Sequence, residues 1–112
     1  MNKNIVKSIF FASIFMFNSE AFVQAAINGT NYNSCYSAGE KAFAVSDYVV
    51  AAENFAQALK YKPDDLRSHL KYAQSLFSLN RYDESSLHLQ TVLQNSPNNI
   101  IARIYLAENY LQ

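Results

Sequence analysis

His69 and His88 are the only imidazoles in the chain, so any acid–base or metal chemistry would start from them. They lie on different predicted helices, with no cysteine near either, and are read as structural or solvated rather than as zinc ligands. Asp64-Asp65 and Asp83-Glu84 are adjacent carboxylates at predicted helix starts. There they cap free backbone N–H groups and suit the positive helix end, which explains them without catalysis. Ser34, Cys35 and Ser37 have no histidine base close in sequence, and an unactivated hydroxyl is a weak nucleophile. Two glycines are too few for a Gly-rich phosphate loop. The expectation is a chain that is not an enzyme and needs no metal or cofactor.

The elements carrying these residues are expected to be helices. Only 2 Gly and 2 Pro interrupt 112 residues, so turns are few and segments long. Half the residues are hydrophobic, including 8 Phe and 8 Tyr, enough for one domain's core. Nine basic residues balance nine acidic ones. No basic run exists and aromatics are not interleaved with Arg or Lys, which argues against a nucleic-acid partner.

Residues 1–25 differ from the rest. Lys3 and Lys7 precede Ile9–Phe17, a stretch without a charge, and Val23-Gln24-Ala25 follows. That order reads as a signal peptide cleaved after Ala25, with the chain periplasmic or secreted afterwards. A membrane anchor would want about 20 apolar residues. Cys35 lies too far beyond the apolar stretch to be a lipidation site. Residues 26–31, which include the sequon Asn28-Gly29-Thr30, are read as a linker. Removal of Lys3, Lys7 and Glu20 leaves seven basic and eight acidic residues. Cys35, the single cysteine, forms no internal disulfide and is expected as a small buried helix residue.

Self-comparison then decides the architecture. The step from Pro63 to Pro97 recurs from Tyr48 to Tyr82, from Phe43 to Phe77 and from Asp65 to Asn99. Ala73 aligns with Ala107 one period on and with Gly39 one period back. A 34-residue period is that of a helix–turn–helix unit stacked on its copies. Apolar residues at three- and four-residue steps (Leu66, Leu70, Ala73, Leu76, Phe77; Tyr48, Ala51, Ala52, Phe55, Ala58, Leu59) mark single helix faces. Five helices are predicted, roughly over 32–45, 48–61, 64–79, 82–95 and 98–111. Gly39, Ala51, Ala58, Ala73 and Ala107 are the expected points of close helix approach.

On these residues the chain resembles the tetratricopeptide repeat family over 32–112. The first unit carries Gly39, Tyr48, Ala51, Phe55, Ala58 and Pro63 in the family's places. The second keeps Ala73, Tyr82 and Pro97 but has Ser85, Leu89 and Val92 between, and the third shows Leu106, Ala107 and Tyr110 in register. The family's frequent Trp is replaced by Cys35, His69 and Arg103. The resemblance implies an all-α array of antiparallel helix–turn–helix repeats wound as a short right-handed superhelix. It would hold about two and a half units: 32–65, 66–99 and a partial 100–112.

The resemblance further implies a concave groove for a peptide or partner helix. By register its lining is Asn33, Tyr36, Glu40 and Phe43, then Arg67, Leu70, Gln74 and Phe77, then Ile101, Ile104 and Glu108. The places of the family's carboxylate clamp hold Tyr36, Glu40 and Ile101, so that clamp is absent. The apolar edge at Ile100, Ile104 and Leu111 admits a homodimer, a docked partner, or continuation in a longer protein. Two functions remain open: an exported protein-binding scaffold, or the headpiece of a larger outer-membrane secretion or assembly protein. No small-molecule substrate is indicated.

Overall fold

A computed structural model describes the backbone of residues 3–112 and the side chains of residues 20–112. The described residues form five helices and no strand. These are α1 (Lys3–Ala44), α2 (Tyr48–Tyr61), α3 (Leu66–Ser78), α4 (Tyr82–Asn95) and α5 (Ile100–Tyr110). The chain divides into two units, one ending at Thr30 and one spanning Asn31–Gln112.

Residues 26–31 are helical where a linker was expected. The segment has no proline and a single glycine. Side chains also support the helix one turn apart: Gln24 Nε2 donates to Asn28 Oδ1 (2.9 Å) and Thr30 Oγ1 donates to the Ala26 carbonyl (3.0 Å). The apolar stretch Ile9–Phe17, on which the leader reading rests, lies outside the residues whose side chains are described. No helix among the described residues is long and apolar enough to cross a membrane.

The second unit repeats its own details from one helix pair to the next. Asp47, Asp65 and Asn99 are N-caps, accepting from the backbone N–H groups of Val50, Ser68 and Ala102. The first member of each predicted pair, Asp64 and Asn98, stays outside the helix. Ser46 and Asn80 occupy the same turn position and share a left-handed φ of 61°. Their side chains accept from the following tyrosines, Tyr48 Oη to Ser46 Oγ (3.4 Å) and Tyr82 Oη to Asn80 Oδ1 (2.7 Å). Those tyrosines in turn stand edge-on to Phe43 and Phe77, with ring centroids 5.4 and 5.5 Å apart.

The core lies where first helices meet second helices. Ala51, Phe55 and Ala58 of α2 are fully buried, and Ser85, Leu89 and Val92 of α4 are buried at the same three places. Across from them stand Gly39 and Ala73. The residue pairs trade volume: the unit with glycine on its first helix takes Phe55, and the unit with alanine takes Leu89. Interiors packed to crystal density impose that exchange.

Ala107, the third residue in this series, is exposed, contrary to the expected close contact. No described helix stands to α5 as α2 stands to Gly39. On another face of α5, Asn109 is buried and its Nδ2 donates to Ser85 Oγ (3.1 Å) and Ser86 Oγ (3.0 Å). Ser85 Oγ donates onward to the Ala73 carbonyl (2.8 Å), so one polar chain ties α5, α4 and α3 together. Cys35, expected buried, is half-buried.

Candidate functional site

The first helices of the units are the Asn31–Ala44 part of α1 with α3 and α5. Every residue of the expected groove lies on these three helices. Their environments differ.

Phe43, Leu70 and Phe77 are engaged in packing. Phe43 lies against the Ala42, Ala51 and Phe55 cluster, and Leu70 against Ala73, Leu89, Val92 and Ala102. Phe77 is clasped edge-on by Tyr82 and by Tyr105 of the next unit, with centroids 5.5 and 5.1 Å away. Gln74 is half-buried, while Asn33 and Glu108 are exposed. Ile101 and Ile104 are 49% and 51% exposed, one helical turn apart on α5. They present branched aliphatic surface with nothing over it among the described residues.

The α1–α3 seam carries the charge. Tyr32, nearly inaccessible at 2%, donates its hydroxyl to Asp65 Oδ2 (2.5 Å). That carboxylate oxygen also accepts from Ser68 N (3.1 Å) and Ser68 Oγ (2.6 Å). Burial would raise the Asp65 carboxyl, but these hydrogen bonds and the Arg67 charge outweigh it and hold the group below its ordinary value. Burial and the bond to Asp65 push the Tyr32 phenol upward, keeping its proton in place.

Arg67 completes the seam. Its Nη2 donates to Tyr32 Oη (3.2 Å), and its guanidinium carbon lies 5.2 Å from the Tyr36 ring centroid. Tyr36 is stacked on Tyr32 at 5.7 Å and meets Phe55 edge-on at 5.5 Å. One turn along α3, Lys71 sits 4.7 Å over the Phe43 ring and 3.3 Å from Glu40 Oε1. The Lys71 contact is one of charge rather than an aligned hydrogen bond, and that oxygen accepts none.

Sequence reasoning placed Tyr36, Glu40, Phe43 and Arg67 on this face. It missed Tyr32, Asp65 and Lys71, which bind the face together. The step from Glu40 to Lys71 falls three positions short of a full period. That offset is the signal for a contact between neighbouring first helices.

The histidines, expected as structural or solvated, meet. His69 and His88 approach Nδ1 to Nδ1 at 2.9 Å, and His69 Nε2 lies 2.7 Å from the Pro63 carbonyl. Since that carbonyl only accepts, His69 Nε2 carries a proton. In the neutral pair His69 Nδ1 is then the acceptor and His88 Nδ1 the donor. Burial, then the His69 charge, lowers the His88 pKa despite the opposing pull of Glu84. No group of three or more His, Cys, Asp or Glu residues suited to a metal occurs among the described residues.

Residues 42–91 match the tetratricopeptide repeat family, a span from the end of α1 to most of α4. The structure is similar to the TPR2AB domain of yeast Sti1 in its complex with pHSP90, with a TM-score of 0.69 at 21% sequence identity. The fold is that of a tetratricopeptide array. The match covers 98% of this chain and 42% of the Sti1 chain, so this chain spans less than half the length of that relative. No curated protein matches the sequence significantly.

Proposed function

We propose that this chain is a non-catalytic scaffold that binds a protein partner, taking a peptide or helix on the face formed by α1, α3 and α5. The observation that carries the reading is the half-exposed pair Ile101 and Ile104, which stand one repeat period on from Arg67 and Leu70, together with the ordered Tyr36–Arg67 contact. Apolar side chains held on rigid helices beside fixed polar groups are what groove recognition of a peptide uses. The similarity to a Sti1 domain solved with pHSP90 supports a protein or peptide ligand.

The test uses Ile101→Glu/Ile104→Glu, which alters exposed positions and leaves the packed Phe43 and Phe77 intact. Partner capture should be lost with helicity unchanged, whereas Leu87→Glu, at an exposed position on α4, should bind normally. Equal capture by the groove variant would overturn the reading.

The scaffold acts in an exported compartment, periplasmic or extracellular. Lys3, Lys7, the uncharged Ile9–Phe17 and Val23-Gln24-Ala25 support this. Terminal sequencing of the exported protein should begin at Ala26. Retention in the cytoplasm with Met1 intact would refute export.

A further inference from the structure

We infer that Arg67 is a seat for an internal acidic side chain of the bound peptide, an assignment that rests on the groove reading above. Arg67 is an unusual surface arginine, because it is held in place and yet most of its donors are free. Tyr32 Oη fixes one end of the guanidinium at 3.2 Å, and the guanidinium carbon lies 5.2 Å from the centre of the Tyr36 ring. Its side chain nonetheless remains 71% exposed. The one acid beside it, Asp65, is an ion-pair partner that takes none of the guanidinium hydrogens. Asp65 Oδ2 takes Tyr32 and both Ser68 donors, while Oδ1 stands 3.6 Å from Arg67 Nε, outside hydrogen-bond range. Glu40, the next acid along the face, faces Lys71 instead.

Five N–H donors serve a guanidinium, and one here is used within the protein. The free edge therefore offers a carboxylate the paired donors that planar recognition requires, at low entropic cost because the side chain is already placed. Lysine could not reproduce this, lacking the planar fork of donors.

The position of Arg67 selects an internal residue over a chain end. It stands on the middle of the three first helices, with aromatic Tyr36 on α1 to one side and aliphatic Ile101 and Ile104 on α5 to the other. An extended peptide crossing the three helices meets an aromatic surface, then the guanidinium, then an aliphatic surface. Packed helices lie about 8–10 Å apart, and an extended strand advances about 3.3 Å per residue. The ligand should therefore read apolar, acidic, apolar, with successive anchors about three positions apart.

The test is selection from a random dodecapeptide library on the full chain and on Arg67→Gln. In one arm the peptide's C-terminus is tethered, so that no free terminal carboxylate exists; in the other it is free. The tethered arm should yield peptides with Asp or Glu about three positions from an apolar residue on each side. Changing that acid to Gln in a selected peptide should weaken binding about tenfold, the scale of a lost charge-assisted hydrogen bond. The same change should have no effect against Arg67→Gln. Peptides that bind without an acidic preference would leave the groove standing and overturn the seat. Enrichment only in the free-terminus arm would replace the internal residue by a chain end and also overturn it. No enrichment in either arm would sink the groove reading, and the seat with it.

Discussion

A methyl group built on Gly39 would lie 2.8 Å from Cε1 and 2.9 Å from Cδ1 of Phe55, so α1 and α2 touch at a point where only glycine fits. Gly39→Ala should gain about 1 kcal/mol of helix propensity and lose about 1–3 kcal/mol to overpacking. Net destabilisation is expected in chemical denaturation. Adding Phe55→Leu should recover part of the loss, because it recreates the Ala73 and Leu89 arrangement of the next unit. Additive losses in the double variant would contradict this volume exchange.

Asp65 is expected to contribute stability through its charge. Because its folded pKa is depressed, the contribution is present above the ordinary value of 3.8 and disappears as pH falls through the folded value. Asp65→Ala removes an N-cap and the acceptor of the buried Tyr32 hydroxyl, at a cost of about 2 kcal/mol near neutral pH. The gap between the two proteins, measured by urea denaturation, should shrink in acid. A pH-independent gap would refute an ionised cap.

The His69–His88 contact predicts a second pH effect at higher pH. His88 is lowered by burial and by His69, so folding disfavours its protonated form. Its contribution is therefore intact above the ordinary value of 6.5 and declines as pH falls below it toward the folded value. His88→Gln should flatten the melting temperature between pH 7 and 5, whereas an unchanged slope would show that His88 does not titrate differently on folding.

Phe77 should behave as a packing residue. Clasped by Tyr82 and Tyr105, it joins the second and third units. Phe77→Ala is expected to cost about 3 kcal/mol and to loosen α5 first. Hydrogen exchange of the Ala102 and Leu106 amides would report that loosening; uniform protection of α5 in the variant would count against it.

The helices were legible because the 34-residue period, Pro63 and Pro97, and the capping Asp65 and Asn99 all mark the same boundaries. The starts of α3 and α5 moved only slightly, because a pair such as Asp64-Asp65 supplied two candidate caps for one helix. The helical backbone of Asn28, Gly29 and Thr30 was not legible, since these residues suit a loop and are yet carried in a helix by their neighbours. Register also put Arg67 beside the first helix that carries Tyr36, which it meets. It could not reveal what orients that residue, because Tyr32 and Asp65 are far apart in sequence and meet only through the stacking of α1 on α3. The histidine pair was hidden for the same reason: its separation in sequence matches no helical or repeat period.

The most direct test of the groove is amide chemical-shift mapping of the isotope-labelled full chain titrated with a library-selected peptide. Saturable shifts at Tyr36, Arg67, Ile101 and Ile104, with Val49, Val50 and Leu87 unmoved, are the expected result. Shifts concentrated on Val49, Val50 and Leu87 of α2 and α4 would contradict the account.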